Sequence, residues 1–357
     1  MSLFNFKVTK KFYFFIFVFL YTSLLSIQNV NAISFVVNDL EIEKKYDSSF
    51  SRDKVYDLAF KKAFKEIMLK IVSTSDRNKV EKTSLGTIKS LIDNFNIYDE
   101  KFIENNYSAK IDVNFSKKDT LSYLEKKNIF PSIPKKIDIF FLPIIVESKK
   151  NDLLLFNLNP LHVGWNDLRK THHLISYILP QEDIEYIKLL KKELDNLESF
   201  NFEVLTKEYD LENYIVSIIF VDQKETRILS KLYINNKLKI LNKKINNFNF
   251  DEIDNLIDLT EILKNDYEDY WKILNQINTS IKLPITLIAE SNNMSKAFEI
   301  ETILKDIDLI SQVYIESFDN KKIIFKIIFN GSPNQFISSV NEKNINIKKE
   351  DNFWIVK

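Results

Sequence analysis

The chain has no cysteine. Disulfides, thiolate metal centres, a cysteine nucleophile and a lipid-modified cysteine at a mature N-terminus are therefore all excluded. Glycine is nearly absent too: Gly86, Gly164 and Gly331 are the only three, and they stand too far apart for a P-loop, a dinucleotide fingerprint or a nucleophile elbow. Imidazole is as scarce, with His162, His172 and His173 making up the whole supply, all close to Trp165 in sequence. Charge of one sign is missing as well. The 50 basic and 50 acidic residues cancel, and phosphate binding shows as a concentrated basic excess, so nucleic acid is not the expected partner. Lys, Ile, Asn and Phe dominate instead, a compositional bias that makes any single lysine or asparagine uninformative.

The first readable signal is at the start. Lys7, Lys10 and Lys11 precede a weakly polar to apolar run from Phe12 to Ile27, and Val30-Asn31-Ala32 offers the small residues that a signal peptidase reads. The run is shorter than the roughly 20 residues that span a bilayer. Residues 1–32 are thus expected to be a signal peptide, with the body of the protein in the periplasm; left uncleaved, the same segment would tether it to the inner membrane. Removing the three lysines leaves the mature chain slightly acidic.

Residues 33–132 read as a small α+β domain. Phe35 to Glu43 is a strand in which Leu40 and Ile42 alternate with acids. Ser51 stands at the N-cap of a long helix whose stripe Tyr56, Phe60, Phe64, Ile67 and Ile71 faces a core. A shorter helix is expected over Leu85 to Ile92. Tyr107, Ala109, Ile111, Val113 and Phe115 then alternate with Ser108, Lys110, Asp112 and Asn114, which predicts a strand with one buried and one wet face. Asp119 to Lys127 closes the domain as a helix, and Pro131 and Pro134 mark a linker.

Residues 133–250 read as a central α/β domain. Ile137 to Val146 is apolar except for Asp138 and Pro143, a strand buried on both faces. Pro143 cannot donate to a ladder, which places it at the strand's end or at a bulge. Leu153 to Phe156 is a second strand in a hairpin, stopped by Asn159 and Pro160. Trp165, Leu168, His172 and Ile175 fall at helical spacing over 165–178, and Pro180 closes that segment. Gln181 to Leu197 predicts a helix with Glu182 and Asp183 in its first turn, Phe202 to Glu208 a short one, and three strands over 214–221, 226–234 and 238–245 a meander. A long amphipathic helix over 251–278, with Ile253, Leu256, Leu259, Ile262, Leu263, Tyr267, Trp271 and Leu274 on its apolar side, either packs back on the sheet or connects domains as a rod. Residues 279–357 follow the order β-α-β-β-α-β of a ferredoxin-like domain, with Ser332 and Pro333 opening the second helix and a small hairpin at the end. No stacked-aromatic signature of the RRM kind lies on its strands.

Within the central domain, Leu142 and Pro143 at a strand's end are followed by Asn159 and Pro160, by Trp165, and by Pro180 with Glu182, Asp183 and Ile184. This order resembles that of exported proteobacterial proteins of the domain of unknown function 2066 type. The resemblance implies export and a similar architecture through most of the mature chain. It implies no activity, cofactor or catalytic residue. Members of that family commonly carry a glycine or two in these loops and an arginine-rich first helix, where this chain has lysine.

The fold class expected is α+β: several small modules after a signal peptide, the last of them ferredoxin-like. Asn159, His162, Trp165 and Asp183 form the candidate binding site, because loops at a strand's carboxyl end collect binding residues. The competing reading of these residues is a core tryptophan with Asn and Asp capping turns. No spacing singles out a catalytic carboxylate pair, a metal set or a cofactor site. Two functions follow: a non-catalytic envelope interaction or accessory protein with another envelope protein as partner, and alternatively a small-molecule binder or hydrolase built around Trp165.

Overall fold

Three β-sheets, each with its own helices, make up the part of the chain that the computed structural model describes, residues 35–356 apart from 49, 168–172, 223–224, 247, 251, 291–292 and 351–352. The expected signal peptide over 1–32, together with Leu168 and His172, lies outside the described residues. Helices and strands are interleaved along the described chain, an α+β protein of several small sheets.

The first sheet is antiparallel, in the order β1 (Val36–Lys45), β3 (Asn106–Phe115), β2 (Ile92–Ile103). The alternation read in β3 holds: Tyr107, Ala109, Ile111, Val113 and Phe115 are buried. They pack against α1 (Arg52–Ile71), whose Phe60, Phe64, Ile67 and Ile71 close the same core. Ser51 stands at the N-cap of α1 with extended backbone but without a capping side-chain bond. Helices α2 (Leu85–Leu91) and α3 (Lys117–Lys126) complete the module.

The central sheet is organised on β4 (Ile137–Glu147). Its even residues Phe140, Leu142 and Ile144 enter one core and its odd residues Ile139, Phe141 and Ile145 enter another, which is why a continuous apolar run is required. Along its full upper length β4 pairs in parallel with β7 (Tyr214–Val221), which continues antiparallel to β8 (Glu225–Ile234) and β9 (Lys237–Asn246), the expected meander. Its other edge is shared by two short strands. Residues 137–140 pair with β6 (Ile175–Ile178) and residues 145–147 with β5 (Asp152–Leu154). Pro143 corrects the expectation made for it: it lies mid-strand, opposite Ser217 of β7, and faces the gap between β5 and β6 on the other side. The missing N–H meets no strand there.

Helix α4 (Pro160–Gly164) and the turn at Trp165 follow β5. The helix expected across 165–178 does not extend through its end, since Ile175 to Ile178 is strand β6. Ile175 and Tyr177 alternate into the core with Ser176 outside, so a two-residue period prevails over the helical spacing that the sequence offered from Trp165 to Ile175. Helix α5 (Ile184–Lys192) and a single turn at Glu203–Thr206 cover the opposite face. Helix α6 (Ile253–Leu274) packs back on the central sheet through Leu259, Leu263, Tyr267 and Trp271.

The last sheet has the order β11 (Ile310–Phe318), β12 (Lys322–Phe329), β10 (Leu283–Glu290), β14 (Phe353–Val356), β13 (Ile347–Glu350), with α7 (Met294–Lys305) and α8 (Pro333–Glu342). The plain β-α-β-β-α-β order is modified by one strand. A crossover from β12 through α8 returns β13 in the same direction as β12, at the far edge of the sheet. The terminal hairpin then turns β14 back between β13 and β10, where it runs parallel to β10. A capping box of Ser332 and Gln335 starts α8, and Gly331 before it leaves no room for a side chain: a Cβ there would stand 2.7 Å from Phe329.

Candidate interaction surface

Asn159 is fully buried. Its side-chain oxygen accepts from Leu161 N (3.0 Å) and His162 N (3.4 Å), capping α4, while its Nδ2 donates to Pro143 O (2.9 Å) and Leu154 O (3.3 Å). One amide thus starts a helix and bridges the gap beside Pro143. His162 lies half-buried at an edge-on angle to Phe156, and its Nε2 donates to Pro180 O (3.0 Å). Burial holds its imidazole below the ordinary range. Asp183 caps α5, accepting from Glu185 N (2.6 Å) and Tyr186 N (3.2 Å). The loops carrying these residues are further joined by Asn157 Nδ2 to Glu182 Oε2 (2.6 Å). Trp165 is fully buried, stacked on Phe141 at 4.0 Å between ring centres and edge-on to Tyr177 at 5.3 Å. The structure therefore brings the four predicted residues into one corner of the central module, with three side chains bonded to backbone and the fourth in the core.

Beneath Trp165 lies a set of charged residues that the sequence reading passed over. Lys264, Glu268 and Lys272 recur every fourth residue on α6, one position beyond the apolar stripe Leu263, Tyr267 and Trp271, and all three are buried. Lys264 Nζ donates to Trp165 O (2.6 Å). Glu268 Oε1 accepts from Leu174 N and Ile175 N, both at 2.8 Å, at the start of β6. Lys272 Nζ donates to Leu69 O (2.7 Å) and Val72 O (3.1 Å) at the carboxyl end of α1, where a cation suits the helix dipole. Burial raises the Glu268 carboxyl above its usual range. Burial first, and the charge of Arg77 second, bring Lys272 down to about 8. A charge repeated at every fourth position beside an apolar stripe was the available signal. It escapes a reading that takes lysine and glutamate as solvent-facing by default.

The first module keeps an open side. β2 and β1 are the outer strands of its sheet, and β2 leaves one row of backbone groups without a strand partner among the described residues. Phe95 and Phe102 lie across from Val113 and Tyr107, on the α1 face of the sheet. Phe95 packs on Phe60, whereas Phe102 gathers with Tyr46, Phe50 and Tyr107 in an aromatic cluster at the end of the strand. Phe102 is 54% exposed and Ile103 60%, large values for apolar side chains. The opposite face is polar. Tyr98 donates to Asp39 Oδ1 (2.6 Å) and Asp112 Oδ1 (3.1 Å), and a shallow cavity of about 290 Å³ is lined by Glu41, Glu43, Asp99, Lys101, Ser108 and Lys110.

A second shallow cavity, of about 380 Å³, lies on the central module between Glu203, Lys207, Asp210, Glu212, Tyr233 and Asn236. Among the described residues no group of three or more His, Asp or Glu side chains could hold a metal ion, and no helix is long and apolar enough to cross a membrane. The chain matches no protein-family model and no curated protein.

Proposed function

We propose that this chain is an exported, non-catalytic accessory protein of the cell envelope that binds another protein by adding an extended segment of it to β2. The observation that carries this reading is the open edge of β2 with exposed Phe95, Phe102 and Ile103 beside it. In strand addition the main chain supplies affinity and neighbouring side chains supply specificity, and β2 offers an unpaired backbone row with exposed apolar side chains beside it. Export rests on the sequence: lysines 7, 10 and 11, the apolar run after them and the small residues at 30–32. The resemblance to exported proteins of the domain of unknown function 2066 type points to the periplasm as well, with an inner-membrane tether where the leader stays in place.

The test is recovery of the tagged protein from gently crosslinked envelopes, set against a Phe102→Asp/Ile103→Asp variant. The variant gives up the ring contacts of Phe102 with Tyr46, Phe50 and Tyr107, so a lower melting temperature is expected, and its circular dichroism spectrum checks that it is folded at the temperature of the experiment. One defined envelope protein recovered with the unaltered chain and lost with the variant supports the reading. Equal recovery with both overturns it.

One observation favours a second reading, a small-molecule site at Trp165. Trp165 Nε1, Tyr177 OH and Glu268 Oε2 are buried without a hydrogen-bond partner, and a small polar guest would satisfy them. A thermal-shift screen of periplasmic metabolites and metals tests it: a ligand-induced rise that is lost in Tyr177→Phe would support a site there.

A further inference from the structure

We propose that the strand received by β2 is β9 of a second copy of this chain, an inference that rests on reading β2 as a binding edge. Both are outermost strands, β2 in the first sheet and β9 in the central one, and they are 12 and 10 residues long. Their charges are opposite. β2 and the turn after it carry Asp93, Asp99, Glu100 and Glu104 against Lys101, whereas β9 carries Lys237, Lys239, Lys243 and Lys244 and no acid. Part of this charge is matched within the module: Asp99 pairs with Lys101, Glu100 with Arg52, Lys243 with Asp266 and Lys244 with Glu225. Among the described residues no ion pair engages Asp93 and Glu104 on β2, or Lys237 and Lys239 on β9.

Charges on an edge strand keep it from adding to copies of itself. Acid against acid and lysine against lysine repel across a strand pair, so neither β2 with β2 nor β9 with β9 is favoured. The same charges attract when the two edges are different ones. The faces match as well. In β9, Leu238 and Ile240 are 56% and 52% exposed and alternate with Lys237 and Lys239. On β2, Phe95 and Phe102 lie on the α1 face, where Glu100 is held by Tyr107 and Arg52, while the acids of the other face stand further in, Asp112 on β3 and Asp39, Glu41 and Glu43 on β1. An added β9 neighbours β2 alone, so Leu238 and Ile240 come beside Phe95 and Phe102, and its lysines meet the acids that β2 and its turn themselves carry. The contact is heterologous: each copy offers β2 to one neighbour and β9 to the other, so association continues beyond a dimer unless a ring closes.

Sedimentation velocity on the purified protein, over a range of concentrations at low salt, tests this with charge exchange. The unaltered chain is expected to associate. Lys237→Glu/Lys239→Glu and Asp93→Lys/Glu104→Lys should each weaken association by about tenfold or more, and mixing the two variants should restore it, because each then offers an edge that the other complements. These side chains are exposed, and circular dichroism shows that each variant is folded. An unaltered chain that stays monomeric, or association indifferent to both exchanges, overturns the assignment of β9. If the β2 variant Phe102→Asp/Ile103→Asp nevertheless loses a different envelope protein, β2 remains a binding edge with another occupant. If that variant loses nothing, the reading of β2 falls as well.

Discussion

Asn128 and Asn344 each end a helix in the left-handed region, with φ of 54° and 60°. Behind each, the helix closes in the same way: Ile129 N donates back to Leu124 O and Ile345 N to Val340 O, while the same isoleucines pack against those residues' side chains. This is the Schellman arrangement with its apolar contact, and glycine is its usual occupant. Here asparagine stands in. None of the described residues at positive φ is glycine, and most are Asn or Asp, the side chains that tolerate this region best. A chain with three glycines thus builds its turns from its abundant asparagine. The strain that remains is a reserve of stability. Asn128→Gly and Asn344→Gly are each expected to stabilise the protein by about 0.5–1 kcal/mol, read as a higher urea midpoint with unchanged slope.

Elements were legible where one physical rule dominated. Alternation placed β3 and β10, continuous apolar runs placed β4 and β7, an apolar stripe placed α1 and α6, and the pair Ser332-Pro333 placed the start of α8. Legibility failed where tertiary context decided. Trp165 and Ile175 share a helical spacing, yet Ile175 belongs to a four-residue strand whose pairing to β4 no local period announces. The candidate residues divide the same way: Asn159 and Asp183 could be read as turn or cap residues, but the partners of Lys264, Glu268 and Lys272 are backbone atoms up to 203 positions away. Pro143 shows the reversal most sharply. In a strand the N and O of one residue point to the same edge, and Pro143 O accepts from Asn159 Nδ2 in the gap between β5 and β6. An N–H at this position would point at that same side-chain donor and find no acceptor. Pro143→Ala is therefore expected to destabilise by about 1–3 kcal/mol in equilibrium unfolding, although proline in mid-strand is ordinarily the unfavourable residue.

At the scale of the whole molecule, α6 is the member that holds the first and central modules together. Besides Lys272 at the end of α1, Asp269 accepts from Thr74 N at 3.0 Å, Asn265 accepts from Arg77, and Trp271 Nε1 donates to Lys135 O at 2.7 Å. Lys272 also gives this junction a pH dependence whose sign is fixed. Its amine falls from 10.5 in the open chain to about 8 when folded. Between these values the unfolded chain binds the extra proton, so stability rises with pH; below about 8 both states are protonated, and the cost of burying the charge is fully present. From about pH 8 to 10 the gain amounts to about 2 kcal/mol. Above about 10 the tyrosines act in the opposite direction. Tyr177 and Tyr267 are buried and their phenols are pushed up by burial, so the unfolded chain releases protons that the folded chain retains, and stability falls. Urea unfolding across this range should therefore give a maximum near pH 10, displaced to the alkaline side of the usual optimum. In Lys272→Met the rise above pH 8 should be roughly halved while the fall above pH 10 remains, because the methionine stem fills the same space without a proton to lose and Lys117, whose amine burial also brings down to about 8, still contributes its share. An unchanged rise in that variant would mean that another buried amine carries it.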